Sequence, residues 1–224
     1  MNNKKIELIE GLFRIDDLID TIGKKYCKEY AEILSGSCTN ENTKRILETC
    51  SYNADARSLL RYSQDLILNW FVEDTIYEMI KNSNDFSCSL NGADKDRKFL
   101  THSKVTGDVD IRLSHKNKDV YIEIVSDFYG FWNKNKVVHF RDNKLKKLIR
   151  LSEKNDLYVF ALDFTHKKFG LIPIYNNLDA TYIESHRAFG GKPAWELKLE
   201  LNKFKNISLL GSENFLLEEI FLYP

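Results

Sequence analysis

The chain has 224 residues, with 33 Lys plus Arg against 33 Asp plus Glu, so its formal net charge is zero. That balance argues against indiscriminate nucleic-acid binding but leaves room for a local basic groove. With 43% hydrophobic and 12% aromatic residues, and only 10 Gly and 3 Pro, a disordered or repetitive protein is excluded and a sizeable core is expected.

Residues 4–34 read as one amphipathic helix, because Leu8, Leu12, Ile15, Ile19, Ile22 and Tyr26 recur at steps of three and four. Ser35-Gly-Ser-Cys-Thr-Asn40 has turn chemistry. Helical pattern resumes over 41–50 and again over 54–81, where Leu59, Leu60, Leu66, Ile67, Trp70, Phe71, Ile76 and Ile80 require burial. From about residue 86 the pattern becomes strand-like. A strand over 86–90 ends at Asn91-Gly92, a strong turn signal. A charged connection, Asp94 to Lys98, leads to strands near 98–101, 108–113 and 119–126.

A helix is expected over 137–152, with Val137, Val138, Leu145, Leu148, Ile149 and Leu151 as its apolar side. A buried strand over 156–163 and another over 168–175 form a hairpin across Thr165-His-Lys167. Residues 176–193 read as loop, 195–201 as strand and 213–221 as a short helix. The expected class is mixed α/β: a central mixed sheet flanked by helices, with a helix crossing over it. It is read as a single domain, with a mainly helical part over 1–82 and a sheet-containing core over 83–224.

Cys27, Cys38, Cys50 and Cys88 form no Cys-x-x-Cys pair, and no His lies at zinc-finger spacing from them. They read as reduced thiols. There is no apolar signal region at the N-terminus and no apolar run near the ~20 residues of a membrane span. A cytoplasmic protein without a membrane partner is expected.

The chemistry concentrates in Asp108-Val-Asp-Ile-Arg-Leu113, followed after a polar turn by Val120-Tyr-Ile-Glu-Ile-Val-Ser-Asp127. Side chains alternate along a strand, so Asp108 and Asp110 share one face of the first strand, and Glu123, Val125 and Asp127 share one face of the second. Pairing the strands brings Asp110 and Glu123 together. Two such carboxylates suit Mg²⁺, a hard cation that prefers oxygen ligands. An ordinary hairpin with acids facing water fits the same pattern. Asp108 replaces Asp110 if the register shifts by two.

An Asp on one strand, a short connection and then Glu on the next resembles the PD-(D/E)xK nucleases, to which most type II restriction endonucleases belong. The resemblance covers roughly residues 70–165 and implies a restriction-endonuclease-like fold. It implies that Asp110 and Glu123 are catalytic and bind Mg²⁺, with the carbonyl of Ile124 as a further ligand. It departs from the pattern at Val125, where the family places Lys. Lys144 is the first candidate to replace it, with Lys104 and Lys136 as others. Asp127 could instead hold a second metal or activate water, and Glu73 is a weaker acidic candidate.

Between Trp132 and Arg150 seven bases stand against Asp142 alone. Such a focused charge suits phosphate, and it also suits a solvated helix face. Lys134, Asn135, Lys136 and Arg141 are candidate DNA contacts there. Arg187 and Lys192 are candidates in a loop that also holds His186, Gly190 and Gly191. With no phosphate-cradling Gly-rich loop, no small-molecule cofactor is expected. The resemblance implies an Mg²⁺-dependent endonuclease of a restriction system, acting on double-stranded DNA as a homodimer, since cutting both strands of a palindrome needs two sites on a two-fold axis. Open alternatives are a resolvase or repair nuclease of the same superfamily, a DNA-binding protein that has lost catalysis, and an α/β protein with no nucleic-acid role.

Overall fold

The structure is a computed structural model that describes residues 3–13, 17–50, 57–81, 87–100, 108–175, 178–211 and 218–222. The N-terminal stripe forms three helices rather than the one expected: α1 (Asn3–Leu12), α2 (Leu18–Lys25) and α3 (Lys28–Ser35). The α2–α3 break lies at Tyr26 and Cys27, whose φ/ψ of −111/−80° and −163/161° are not helical. Of the expected stripe, Leu12 and Ile22 enter the core and Tyr26 packs against it, joined by Ile33 of α3, whereas Ile19 is exposed and Ile15 lies outside the described residues. Gly36 ends α3 at φ 78°, a left-handed C-cap that glycine adopts without steric cost. Asn40 caps α4 (Glu41–Thr49) by accepting the Asn42 N–H at 2.8 Å. Next comes α5 (Leu59–Lys81), which starts later than expected; residues 54–56 lie outside the described residues. It is apolar on several sides and buries Ile67, Trp70, Val72, Ile76 and Ile80, as a helix enclosed by other elements does.

The sheet begins with β1 (Ser87–Leu90), β2 (Ile111–His115) and β3 (Lys118–Asp127). The β2–β3 turn has positive φ at Lys116 and Asn117, which matches the right-handed twist of a tight hairpin. No strand forms at 98–100, and residue 101 lies outside the described residues. The segment 137–152 is not one helix. It divides into β4 (Val137–Arg141) and α7 (Asp142–Ser152), preceded by the short α6 (Phe131–Asn135). Then follow β5 (Asp156–Asp163) and β6 (Lys168–Pro173). The stretch read as loop holds β7 (Ala180–His186), a 3₁₀ turn at Arg187–Phe189 and the start of β8 (Lys192–Lys198). A two-residue β9 (Lys205–Asn206) follows. Of the terminal helix, only a π-helical turn at Glu218–Leu222 is described; residues 212–217 lie outside the described residues.

The main sheet has the order β1-β2-β3-β5-β6-β9, and a smaller sheet has the order β4-β8-β7. Among the described strands only β3 and β5 pair in parallel, so the chain must cross over between them, and α6, β4 and α7 make that crossing. β5 alternates between two cores. Tyr158, Phe160 and Leu162 join α5 and the N-terminal helices. Leu157, Val159 and Ala161 join Leu145 and Leu148 of α7 and Val138 and Phe140 of β4. This is the mixed α/β class expected, with helices on both faces of a mixed sheet. No described helix is long and apolar enough to cross a membrane.

Candidate active site

Two strands and the crossover helix meet where the β2–β3 hairpin opens. The ladder runs one step past β2: the Asp110 N–H donates to Ile122 O at 3.1 Å. The Asp110 carboxylate then accepts the Ile124 N–H through Oδ2 at 2.7 Å. Glu123 lies between these residues of β3, 7% exposed. Alternation turns Glu123 and Val125 toward α7. Lys144 is the third residue of that helix, and its Nζ sits 2.7 Å from Glu123 Oε2. The same ammonium donates to the carbonyl of Asp108 at 2.9 Å. Asp110, Glu123 and Lys144 therefore share one location. The Asp108 carboxylate pairs instead with Lys147 at 2.6 Å. Ile124 pairs with Phe160 of β5.

Glu73, on α5, faces the same cleft. It is held by Arg97, whose Nη1 lies 2.6 Å from Glu73 Oε2. The Arg97 Nε and Nη2 both donate to Asp74 Oδ1, at 2.8 and 2.6 Å. Tyr26 donates its hydroxyl to Asp74 Oδ2 at 2.6 Å, and Tyr30 donates to the Arg97 carbonyl at 2.8 Å. This clamp was not legible in the sequence, where Arg97 sat in a charged connection. Asp94, from the same connection, accepts the Trp70 indole N–H. A fork that satisfies two acids is a role for Arg rather than Lys. Arg97→Lys should therefore cost about 1–3 kcal/mol, since buried carboxylate oxygens lose their donors. Urea unfolding would measure this, and an unchanged midpoint would mean the clamp carries no stability.

Burial sets the electrostatics. It pushes Asp110 up to about 6, against the pull of the Lys144 charge and the Ile124 N–H. It pushes Glu123 up to about 8; Asp110 adds repulsion and Lys144 opposes it. Glu73 is raised well above the carboxylate range by burial and then by Asp110, with Arg97 opposing. Burial alone would lower the Lys144 ammonium, but Glu123 and then Asp110 outweigh it and hold it above its ordinary value. Lys144 and Arg97 do not offset the burial of these acids, so the site still has a shortage of positive charge.

A divalent cation fits that shortage. Glu123 Oε2 is buried and has no well-directed hydrogen bond among the described residues; Lys144 approaches it as a charge. An oxygen so placed beside a second carboxylate is what a hard cation uses.

The acids lie in a cleft of about 800 Å³. Arg57, Tyr62, Glu73, Arg141, Lys147 and Phe189 are among the residues that line it. The Arg141 guanidinium stacks on Phe189, 5.4 Å from the ring centre, and so ties the β7–β8 tip to the cleft wall. Arg187 and Lys192 are exposed on that tip. Lys134, Asn135 and Lys136 are exposed on α6 and just beyond it, and do not line the cleft. On α7, Lys144 and Lys147 face the cleft, whereas Lys146 is exposed and pairs with Asp142 at 2.8 Å. Asp127 does not join the site. Its two oxygens accept the N–H groups of Tyr129, at 3.0 Å, and Trp132, at 2.7 Å, which fixes the turn into α6. Lys104 lies outside the described residues.

No family model matches this chain, and no curated protein matches its sequence. Among solved structures it is similar to Hjc, a Holliday junction resolvase from Archaeoglobus fulgidus, at 11% identity over 68% of this chain and 98% of that one, with a TM-score of 0.33.

Proposed function

We propose that this protein is an Mg²⁺-dependent DNA endonuclease of the PD-(D/E)xK kind, cutting duplex DNA at a specific short site as a type II restriction enzyme does. One observation carries the reading. The Lys144 ammonium reaches the Asp110–Glu123 pair from α7, beside Val125, where the family pattern would place a lysine.

Asp110, Glu123 and the carbonyl of Ile124 would hold the Mg²⁺. When bound, that ion neutralises phosphate charge and lowers the pKa of water. Lys144 is anchored on the Asp108 carbonyl and Glu123, so its ammonium is directed before substrate arrives. It would donate to a phosphate oxygen and orient the attacking water. A donor preorganised in a buried site stabilises developing charge far more than a solvated one. Lys147 and Arg141 would contact flanking phosphates, and Lys134, Asn135 and Lys136 the backbone further out. Arg187 and Lys192 sit on a tip that Phe189 ties to the cleft, a placement that favours base reading. Two copies related by a two-fold axis would cut both strands.

The test is Mg²⁺-dependent digestion of a long mixed-sequence DNA and, in parallel, of a four-way junction. Discrete fragments support the restriction reading. Cutting of the junction alone would move the protein to the shape-reading nucleases. DNA binding without any cutting would leave a binder on a nuclease fold. Arg187→Ala refines the result: it should lower cognate cleavage about 10- to 100-fold, from the ~1–3 kcal/mol of a bidentate guanine contact, with non-specific binding nearly unchanged. Equal loss of both would make Arg187 a phosphate contact.

A further inference from the structure

We propose that His139, His186 and Glu196 form a second metal site, for Zn²⁺ or a similar borderline transition cation, that staples the β7–β8 hairpin to β4 beside the cleft. The inference goes beyond the nuclease reading and does not depend on it.

The site is assembled by strand pairing. His139 on β4 and Glu196 on β8 are direct cross-strand partners. Their side chains meet with His139 Nε2 2.9 Å from Glu196 Oε1. His186 ends β7, just after a register shift between Ile183 and His186. Such irregularities re-aim a side chain. Here the His186 ring packs 4.2 Å from that of His139. The three ligand atoms lie within 4.8 Å of one another. Around tetrahedral Zn²⁺, with bonds of about 2.0–2.1 Å, donors sit ~3.3 Å apart, so side-chain rotation closes the difference.

A hydrogen-bonded His–Glu pair does not explain the whole cluster. His186 Nδ1 is buried and has no hydrogen-bond partner among the described residues. A buried polar atom normally finds a partner. Metal coordination would supply one to the cluster and use neutral imidazoles, which can pack closely without repulsion. The side chains of His139 and Glu196 are 15% and 34% exposed, so an ion can enter.

The donor set names the class of ion. Two imidazoles and one carboxylate suit Zn²⁺, Co²⁺ or Ni²⁺, whereas Mg²⁺ and Ca²⁺ prefer oxygen. The consequence is mechanical. His186 immediately precedes Arg187, and His139 lines the cleft five residues before Lys144. A metal joining them would fix the Arg187–Phe189 turn relative to α7. In the sequence, His186 reads as part of the loop with Arg187 and Lys192 that is a candidate for DNA contact. The cluster has no sequence spacing to find, because it spans β4, β7 and β8 of the smaller sheet, of which the sequence shows only a strand overlapping β8.

The experiment uses the full chain, stripped with chelator and dialysed against Zn²⁺ in excess Mg²⁺ to occupy the oxygen-rich site. The wild type and Asp110→Asn should each retain one equivalent of Zn²⁺. His186→Gln and Glu196→Gln should bind it at least about 100-fold more weakly, more than the loss of an outer-shell partner costs. Co²⁺ in place of Zn²⁺ should give the visible absorption of a tetrahedral ion in the wild type and lose it in both variants. Trypsin cleavage after Arg187 should slow when Zn²⁺ is added to the wild type but not to the variants. Circular dichroism identifies a variant that fails to fold, and the wild-type result stands without it. No retained Zn²⁺ in the wild type, retention unchanged in both folded variants, or hairpin proteolysis indifferent to Zn²⁺ would overturn the proposal.

Discussion

Asp110→Asn and Glu123→Gln are each expected to lower Mg²⁺-dependent cleavage by about 10³-fold or more, roughly 4 kcal/mol of transition-state stabilisation, with DNA binding largely kept. Glu123→Gln should also raise the thermal midpoint of the metal-free protein at pH 8. The reason is linkage. Burial pushes the Glu123 carboxyl up to about 8 in the folded chain, and the nearby Asp110 charge adds to the rise. Between the ordinary carboxylate value and about 8, the native state binds more protons than the unfolded state, so stability falls as pH rises through that window. Gln removes the titration. The midpoints of wild type and Glu123→Gln in chelator should nearly coincide near pH 5 and separate by a few degrees near pH 8. Since 1 kcal/mol shifts the midpoint of a chain this size by about 2–4 °C, a calorimetric scan resolves the difference. A difference independent of pH would remove Glu123 ionisation as its cause. Wild-type cutting by either variant would remove the metal assignment.

What was legible in the sequence followed local periodicity. The β2–β3 hairpin was readable because β3 alternates and its turn is short and polar. β5 was readable as an unbroken apolar run bounded by Asp156 and Asp163, as a strand buried on both faces must be. The errors lie where one pattern serves two structures. Leu12 and Ile22 keep a helical rhythm through a break because both pack into one core. Val137 and Val138 line up with Leu145 and Leu148 as a helical stripe, yet β4 passes directly into α7 and both elements feed the same apolar cluster. β7 has no buried residue, so it offered no alternation to read.

The site divides along the same line. Asp110 and Glu123 meet through neighbouring strands of one hairpin, a contact that alternation and register predict. Lys144 reaches them across the crossover, and no local pattern fixes how far along α7 the reaching residue must stand. Arg97 required knowing that residues 94–98 lie against α5. Its left-handed φ of 55° is unusual for a residue with a Cβ and carries no composition signal.

Moving the lysine tests whether Lys144 does the work the family pattern assigns to the position of Val125. Lys144→Ala should lower cleavage by about 10²–10³-fold, the usual cost of removing a preorganised donor from a reacting charge, while DNA affinity changes little. Val125→Lys alone should also lower activity. Val125 is partly buried against the cluster that α7 and β4 share, and it lines the cleft, so a second ammonium there would be poorly solvated and would crowd Lys144. The two changes together should not add. With Lys144 gone, a lysine at 125 is on the face of β3 that carries Glu123 and has an unopposed acid to meet. The double variant should cut about tenfold faster than Lys144→Ala; because Val125→Lys alone slows cutting, the coupling then exceeds about 1.4 kcal/mol, with the sign of rescue. Single-turnover rates with Mg²⁺, alongside separate DNA affinities, would measure it. A double variant no faster than Lys144→Ala, with Lys144→Ala itself losing affinity rather than rate, would make Lys144 a phosphate contact. An inactive wild type that Val125→Lys switches on would mean that Lys144 is a structural counter-ion to Glu123, and that the chain binds DNA on a nuclease fold without cutting it.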